Sequence, residues 1–248
     1  MFSDSHCHLD YFPNPAEAIA EARKQGVEKI VANSTNFEGL HKVLALQREF
    51  PGTVLAALGY HPTHFAEDSA AKIDETMQEI ALHAKEAIAF GEVGLEFDDS
   101  TIPEIKETQY SIFRKFISLS KEFSKPLIVH ARGARAEVLR ILQEENCKKV
   151  LLHSFVCKEA QMKQLLKTPF FVSVGAGVLN SEWIQKFAKD LPLEKLLLET
   201  DSPLTFGSEK CSPAWIPRIA AKIAELKGLN IQEIEENTQK NFNSFFKH

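Results

Sequence analysis

The sequence predicts an α/β chain closed into a (β/α)8 TIM barrel, and three observations carry that prediction. Eight short, unbroken apolar runs recur along the 248 residues, each followed by a stretch of helical periodicity. Most runs end on a histidine or a carboxylate, the place where such barrels carry their chemistry. No Gly-x-Gly-x-x-Gly follows the first run, so the main sign of an open dinucleotide-binding sheet is missing. With no linker or low-complexity segment, residues 1–248 fit one barrel domain.

The first strand is read around Asp4-Ser5-His6-Cys7-His8, between Phe2 and Leu9. The two-residue period of a strand turns His6 and His8 to one face and Cys7 to the other, toward the helices. An apolar stripe of Ala16, Ile19, Ala20 and Ala22 makes 15–25 a helix, stopped at Gly26. Residues 29–34 read as a buried strand, 37–49 as a helix, and 53–59 as a third strand running into Tyr60-His61-Pro62. A helix near 70–85 leads to the fourth strand at 87–92, and Pro103-Glu104 opens a long helix over 103–123. The second half repeats the rhythm, with strands at 126–130, 149–153, 170–175 and 195–201 and helices at 134–143, 158–166 and 181–189. Helices at 213–227 and 231–246 close the chain. Runs that are apolar throughout, rather than alternating, belong to a parallel sheet covered on both faces.

Composition narrows the function classes. A hydrophobic fraction of 44% supports a sizeable core. A net charge of -5 gives no general attraction for nucleic acid or an anionic membrane, so phosphate binding has to be local. Cys7, Cys147, Cys157 and Cys211 have neither Cys-x-x-Cys spacing nor a disulfide framework, and no signal peptide or membrane span is apparent. The expectation is a soluble, cytoplasmic monomer without membrane contact.

The predicted strand ends collect His6, His8, His61, Glu92, His130, His153 and Asp201. All but His61, read as a neighbour, are taken as ligands for a transition-series divalent metal. A carboxylate between two cations offsets their repulsion, and a bound cation lowers the pKa of water toward about 7. Asp201 could both hold metal and accept the proton of that water. Glu199, two residues earlier on the same strand face, is read either as polarity deeper in the core or as a partner that orients a ligand, with the second favoured. His41, His64, His83 and His248 fall on helices, loops or the tail and are read as surface. Pro62 keeps the chain extended after His61, so that its imidazole leans over the mouth. Arg132 presents a planar fork suited to phosphate. Phe97 is the aromatic residue expected nearest the mouth.

The blocks His6-Cys7-His8, Gly59-Tyr60-His61-Pro62, Gly91-Glu92-Val93-Gly94-Leu95-Glu96, His130-Ala131-Arg132, His153-Ser154-Phe155 and Glu199-Thr200-Asp201-Ser202-Pro203 resemble the signature blocks of the TatD-related DNases, a family within the metal-dependent amidohydrolase-type barrels. They occur in the family's order, and the tail over 227–246 resembles its closing helices. The resemblance implies two metal ions: His6, His8 and Asp201 on one, His130 and His153 on the other, and Glu92 between them. It also implies magnesium or manganese, while the imidazole-rich donor set admits zinc.

The match departs at four places. The family commonly has aspartate at Glu96, an acidic residue at Gly133 and a glycine near Cys157. It carries an arginine-asparagine-glutamate-proline run where this chain has Ser208-Glu209-Lys210-Cys211-Ser212-Pro213. The expectation is therefore a metal-dependent deoxyribonuclease with Asp201, Glu92 and His61 in the chemistry. His61, Arg132 and Lys210 would hold a DNA substrate, single-stranded or at free ends, through few phosphate contacts. The alternative is an ester or amide hydrolase, such as a deacylase, using the same two metals. A non-catalytic, metal-stabilised binding protein would be expected to have lost ligands, and all six are present.

Overall fold

The computed structural model describes residues 1–206 and 209–247. Eight strands lie side by side in chain order, each hydrogen-bonded in parallel to the next: β1 (Phe2–Cys7), β2 (Val27–Asn33), β3 (Val54–Leu58), β4 (Ala89–Glu96), β5 (Leu127–Arg132), β6 (Val150–Leu152), β7 (Phe171–Val174) and β8 (Leu196–Leu198). Seven helices alternate with them: α1 (Pro15–Lys24), α2 (Phe37–Glu49), α3 (Ala70–Leu82), α4 (Pro103–Phe123), α5 (Arg135–Glu144), α6 (Glu159–Leu165) and α7 (Glu182–Asp190). The helices α8 (Ile216–Lys227) and α9 (Ile231–Phe245) follow the last strand. Side chains of Asn36, Ser69, Ser181 and Asn230 accept from the first-turn amides of α2, α3, α7 and α9, so the sequence itself specifies where these helices begin.

The ring closes between β8 and β1 through a mixed seam. Ser5 Oγ donates to the Leu198 carbonyl at 2.8 Å, Asp201 N to the His6 carbonyl at 3.0 Å, and His8 N to the Ser202 carbonyl at 2.7 Å. The buried Asp4 carboxylate accepts from Thr200 N at 3.0 Å and Thr200 Oγ1 at 2.5 Å. Burial pushes its carboxyl up to about 8 despite those bonds.

The core has two parts. An outer layer packs the strands against the helices, with Ile30, Phe90, Phe113, Phe116 and Val129 fully or almost fully buried. An inner cluster takes the opposite strand face, including Val31, Ala57, Ala89, Ile128, Leu151 and Leu197, and joins Phe242, Phe245 and Phe246 at the end of the chain. Asn241 Nδ2 donates to the Leu193 and Leu196 carbonyls at 2.7 and 2.8 Å, which holds α9 at the start of β8. The aromatic end of α9 thus plugs the barrel opposite its polar mouth.

The predicted elements recur with shifted ends. The fourth strand runs on past Glu92 to Glu96, because Val93, Gly94, Leu95 and Glu96 continue to pair with Val129, His130, Ala131 and Arg132. A register shift between Phe90 and Val93 breaks the strict alternation there. The segment after β8 forms an unpredicted hairpin, Thr205–Phe206 against Glu209–Lys210. Ser208 of the divergent run and the surface reading of His248 lie outside the described residues. Among the described residues no helix is long and apolar enough to cross a membrane.

Candidate metal centre

The predicted strand ends converge at the mouth of the barrel. β1 delivers His6, and the residue just past its end is His8; the loop after β3 delivers His61; β4 delivers Glu92 and Glu96; β5 delivers His130; and the residues just past β6 and β8 deliver His153 and Asp201. Gly59 makes the approach possible, since a Cβ there would lie 2.4 Å from the Glu92 backbone.

Glu92 sits in the middle, 3% exposed, and its two oxygens face different histidines. Oε2 lies 3.5 Å from His6 Nε2 and 3.2 Å from His8 Nε2. Oε1 lies 2.8 Å from both His130 Nδ1 and His153 Nε2, and 3.3 Å from His61 Nε2. Asp201 Oδ1 completes the first group, 3.4 Å from His6 Nε2 and 3.5 Å from His8 Nε2. Its backbone holds φ at 51°, a left-handed conformation that aspartate adopts more readily than most residues.

Donor atoms of His6, His8 and Glu92 lie within 4.8 Å of one another, as do those of Glu92, His130 and His153, and of His6, His153 and Asp201. Such spacing suits cations bound about 2.0–2.2 Å from each donor. Both ring nitrogens of His6 are buried and make no hydrogen bond, although carboxylates flank Nε2. A fully buried imidazole left without a partner among carboxylates fits a divalent cation and is hard to explain otherwise.

Outer contacts fix which nitrogen each ring presents. His8 Nδ1 donates to the Asn33 carbonyl at 3.1 Å, turning Nε2 inward. His130 Nε2 donates to Glu96 Oε2 at 2.9 Å, which turns Nδ1 toward Glu92 Oε1 and, at 3.1 Å, His153 Nε2. Gln109 of α4 clasps the Glu96 backbone, accepting from its amide at 2.9 Å and donating to its carbonyl at 3.0 Å. His153 Nδ1 lies 3.6 Å from Glu199 Oε2, which accepts from Ser173 Oγ at 2.5 Å. Glu199 therefore stands behind His153, close to Nδ1 but beyond hydrogen-bond distance. Such outer carboxylates set tautomer and ring angle in metal sites.

The electrostatics follow from this packing. Burial pulls the His153 and His8 imidazoles down, but Glu92 with Glu199, and Asp201 with Glu92, reverse that and hold both well above the usual range. His130 is raised in the same way by Glu92 and Glu96. His61 goes the other way, because burial outweighs its contact with Glu92. Its Nδ1 accepts from the Thr63 amide at 3.3 Å, which leaves the Nε2 proton facing the site. Glu92 and Asp201 are lowered, their desolvation more than offset by the surrounding histidines.

A cavity of about 490 Å³ opens over this cluster, lined also by Tyr11, Thr35, His64, Arg132 and Leu204. His64 thus reaches the mouth and is not simply surface. Arg132 is 75% exposed, with Nη1 3.7 Å from Glu96 Oε1. Lys210 is exposed on the hairpin and does not line that cavity; its neighbour Glu209 pairs with Arg218 at 3.0 Å. Phe97 is half-buried against Tyr110, ring centroids 5.6 Å apart, and does not line the cavity either. Sequence reasoning missed Tyr11 and Leu204, about half exposed at the rim, and the role of Glu96 behind His130. Cys7 faces outward, its Sγ 3.6 Å from the Val31 carbonyl.

A parallel barrel whose mouth gathers imidazoles and carboxylates in this way is the architecture of a metal-dependent hydrolase. The family model of the TatD related DNases matches residues 3–247, and the chain belongs to that family. Deoxyribonuclease TATDN3 of Homo sapiens is 32% identical over 252 residues, covering 96% of this chain and 92% of its own length. The uncharacterized metal-dependent hydrolase YabD of Bacillus subtilis is 30% identical over 258 residues, covering 100% and 99%. The crystal structure of the TatD homolog YJJV from Escherichia coli superposes with a TM-score of 0.88 at 26% identity, covering 100% of this chain and 98% of that one.

Proposed function

We propose that this protein is a deoxyribonuclease that hydrolyses phosphodiester bonds with two divalent cations, magnesium, manganese or zinc. In this reading His6, His8 and Asp201 would hold one cation, His130 and His153 the other, and Glu92 would contribute to both. The observation that carries it is the division of Glu92, with one oxygen toward His6 and His8 and the other 2.8 Å from His130 and His153. A carboxylate so divided suits a pair of cations better than a single one. When bound, such ions supply Lewis acidity and a water of lowered pKa.

The chain's own groups do the rest. Asp201 accepts the proton of the attacking water at a carboxylate oxygen, and the surrounding histidines keep that carboxylate ionised. His61 offers its Nε2 proton to a phosphate oxygen at the mouth. Arg132, exposed and only loosely tied to Glu96, supplies a guanidinium for the same phosphate. Lys210, on the exposed hairpin, is left to contacts with more distant phosphates. An open mouth of this size accepts a single strand or a free end more readily than the middle of a duplex. The protein works as a monomer in the cytoplasm, since every proposed ligand comes from one chain and its four cysteines are free thiols.

The test is a substrate panel with each metal: labelled single- and double-stranded DNA, RNA, small phosphodiesters, and carboxylic esters and amides. Metal-dependent cleavage of DNA, abolished by chelation, is the expected result. Robust ester or amide hydrolysis with intact DNA would replace this reading with the deacylase one.

A further inference from the structure

A second cavity, of about 230 Å³, adjoins the metal centre on its β5–β6 side and is lined by His130, Arg132, Arg135, His153, Ser154 and Asp201. Arg135 opens α5 and was not singled out by any motif. Its Nε is buried without a hydrogen-bond partner, and among the described residues its guanidinium makes no hydrogen bond or ion pair. Its one ring contact is distant, 6.0 Å from Phe155. A buried arginine donor is costly to leave unmade, so a guanidinium held this way beside a metal centre is poised for an anion.

Arg135 also lines a third cavity, of about 510 Å³, which leads away from the centre to Lys158, Gln161 and Trp183. Trp183 stands in the first turn of α7 and is 49% exposed, an unusual place for so large an apolar ring. Beyond it a smaller cavity of about 210 Å³ continues past Lys186. Carboxylates lie nearby: Glu137 in the third cavity, Glu159 and Asp190 in the next. Glu159 is already paired with Lys163 at 2.7 Å. Arg135 is thus shared by the second and third cavities, Lys158 and Trp183 line the third, and Trp183 with Lys186 lines the fourth.

We propose that this is a track for a polynucleotide strand leaving the metal centre, in which Arg135 holds the phosphate next to the scissile one and Trp183 stacks a base further along. The proposal rests on the nuclease reading above and extends its substrate to strands of several nucleotides. Cations matched to phosphates, with an aromatic face between them, form the general means of holding single strands. Stacking accepts any base because every base has a π-face. A small phosphodiester would reach only the metal centre and would leave the track empty.

The experiment compares wild type with Arg135→Ala, Arg135→Lys, Trp183→Ala and Trp183→Phe. Each is loaded with manganese and assayed on bis(p-nitrophenyl) phosphate, a dinucleotide and a single-stranded oligonucleotide of about 12 nucleotides. Arg135→Ala should lower kcat/KM for the oligonucleotide about tenfold, through KM, and by more than for the small diester. The magnitude of its salt slope should fall by about 0.7, one phosphate contact on a single strand. Trp183→Ala should lower the ratio of oligonucleotide to dinucleotide kcat/KM about tenfold, with Trp183→Phe recovering most of it and Arg135→Lys recovering part of the other loss. In a Trp215→Phe background the oligonucleotide should quench Trp183 fluorescence. Wild type that cleaves oligonucleotides, with those ratios unmoved by either alanine, overturns the track and leaves the nuclease reading standing. Fluorescence that changes with protein concentration but not with oligonucleotide assigns Trp183 to a protein contact and also overturns the track. Wild type that cleaves the small diester and no nucleic acid of any length defeats the nuclease reading, and the track with it.

Discussion

The Nε2 of His130 lies 2.9 Å from Glu96 Oε2, so the proton of that ring points away from the metal centre and its Nδ1 points in. Glu96 is itself held well ionised by this hydrogen bond. Removing its charge should loosen the ring without touching a ligand. Glu96→Gln is expected to weaken metal binding about 10–100-fold, as the loss of an outer carboxylate generally does. Glu96→Asp should fall between, because its shorter side chain reaches less far. Metal titration of the chelated protein measures both, and wild-type affinity in the glutamine variant would remove Glu96 from the site.

Glu92→Gln should do more damage, since it takes a charge from the middle of the cluster. The expected result is a folded protein that retains at most one tightly held ion and loses nearly all turnover. Metal content per folded molecule, read beside activity and thermal melting, tests it. Normal turnover with two bound ions would show that Glu92 does not lie between them.

Asp201→Asn keeps the shape and an oxygen donor but accepts no proton from water. Turnover should fall about 10²–10⁴-fold, the range for loss of a general base, with substrate binding little changed. Single-turnover kinetics separate the two effects. Full activity in the asparagine variant rules out the proton-accepting role.

The metal-free protein should lose stability as pH rises. His8 and His153 have pKa values well above their usual range when folded. Their charged contacts with Asp201, Glu92 and Glu199 are fully present below about 6.5 and are lost as pH climbs through the raised folded values. His61, lowered by burial, opposes this only on the acid side. The Tm of chelated protein should therefore fall over the window above about pH 6.5, and metal-loaded protein, its imidazoles already neutral, should not follow. Parallel melting curves for the two forms across that window would refute the assignment.

The grouping of the candidate ligands was legible in the sequence because a strand end fixes both a residue's place on the ring and its face. His6, His8, Glu92, His130, His153 and Asp201 needed no loop geometry to be found. Glu96 was placed beyond the strand because the apolar run stops at Glu92, whereas pairing of Val93 and Leu95 with β5 carries the strand four residues further. Tyr11 and Leu204 sit in loops whose course no periodicity encodes. Arg135 and Trp183 lie in first turns of helices, where a sequence gives register but not what the neighbouring helix leaves uncovered. Gly133, where the family commonly has an acid, has φ of 67°, and a Cβ there would lie 1.9 Å from the Phe97 carbonyl oxygen. With this backbone a side chain at 133 would be strained, and no acidic residue stands between Arg132 and Arg135 in the sequence.

The seam that closes the ring joins residues 196 apart in sequence, Asp4 and Thr200. The proposed donors of the first cation straddle it, with His6 and His8 on one bank and Asp201 on the other. Any cation held there is a rivet between the first strand made and the last. A growing chain carries His6 and His8 at the end of the first strand of the barrel but cannot use all three donors as a set until Asp201 has been synthesised and the barrel has come round to meet itself. Metal supply then enters the stability of the fold by mass action, favouring completed rings over open ones. The same ions that would cut a substrate would certify that the molecule holding them is whole.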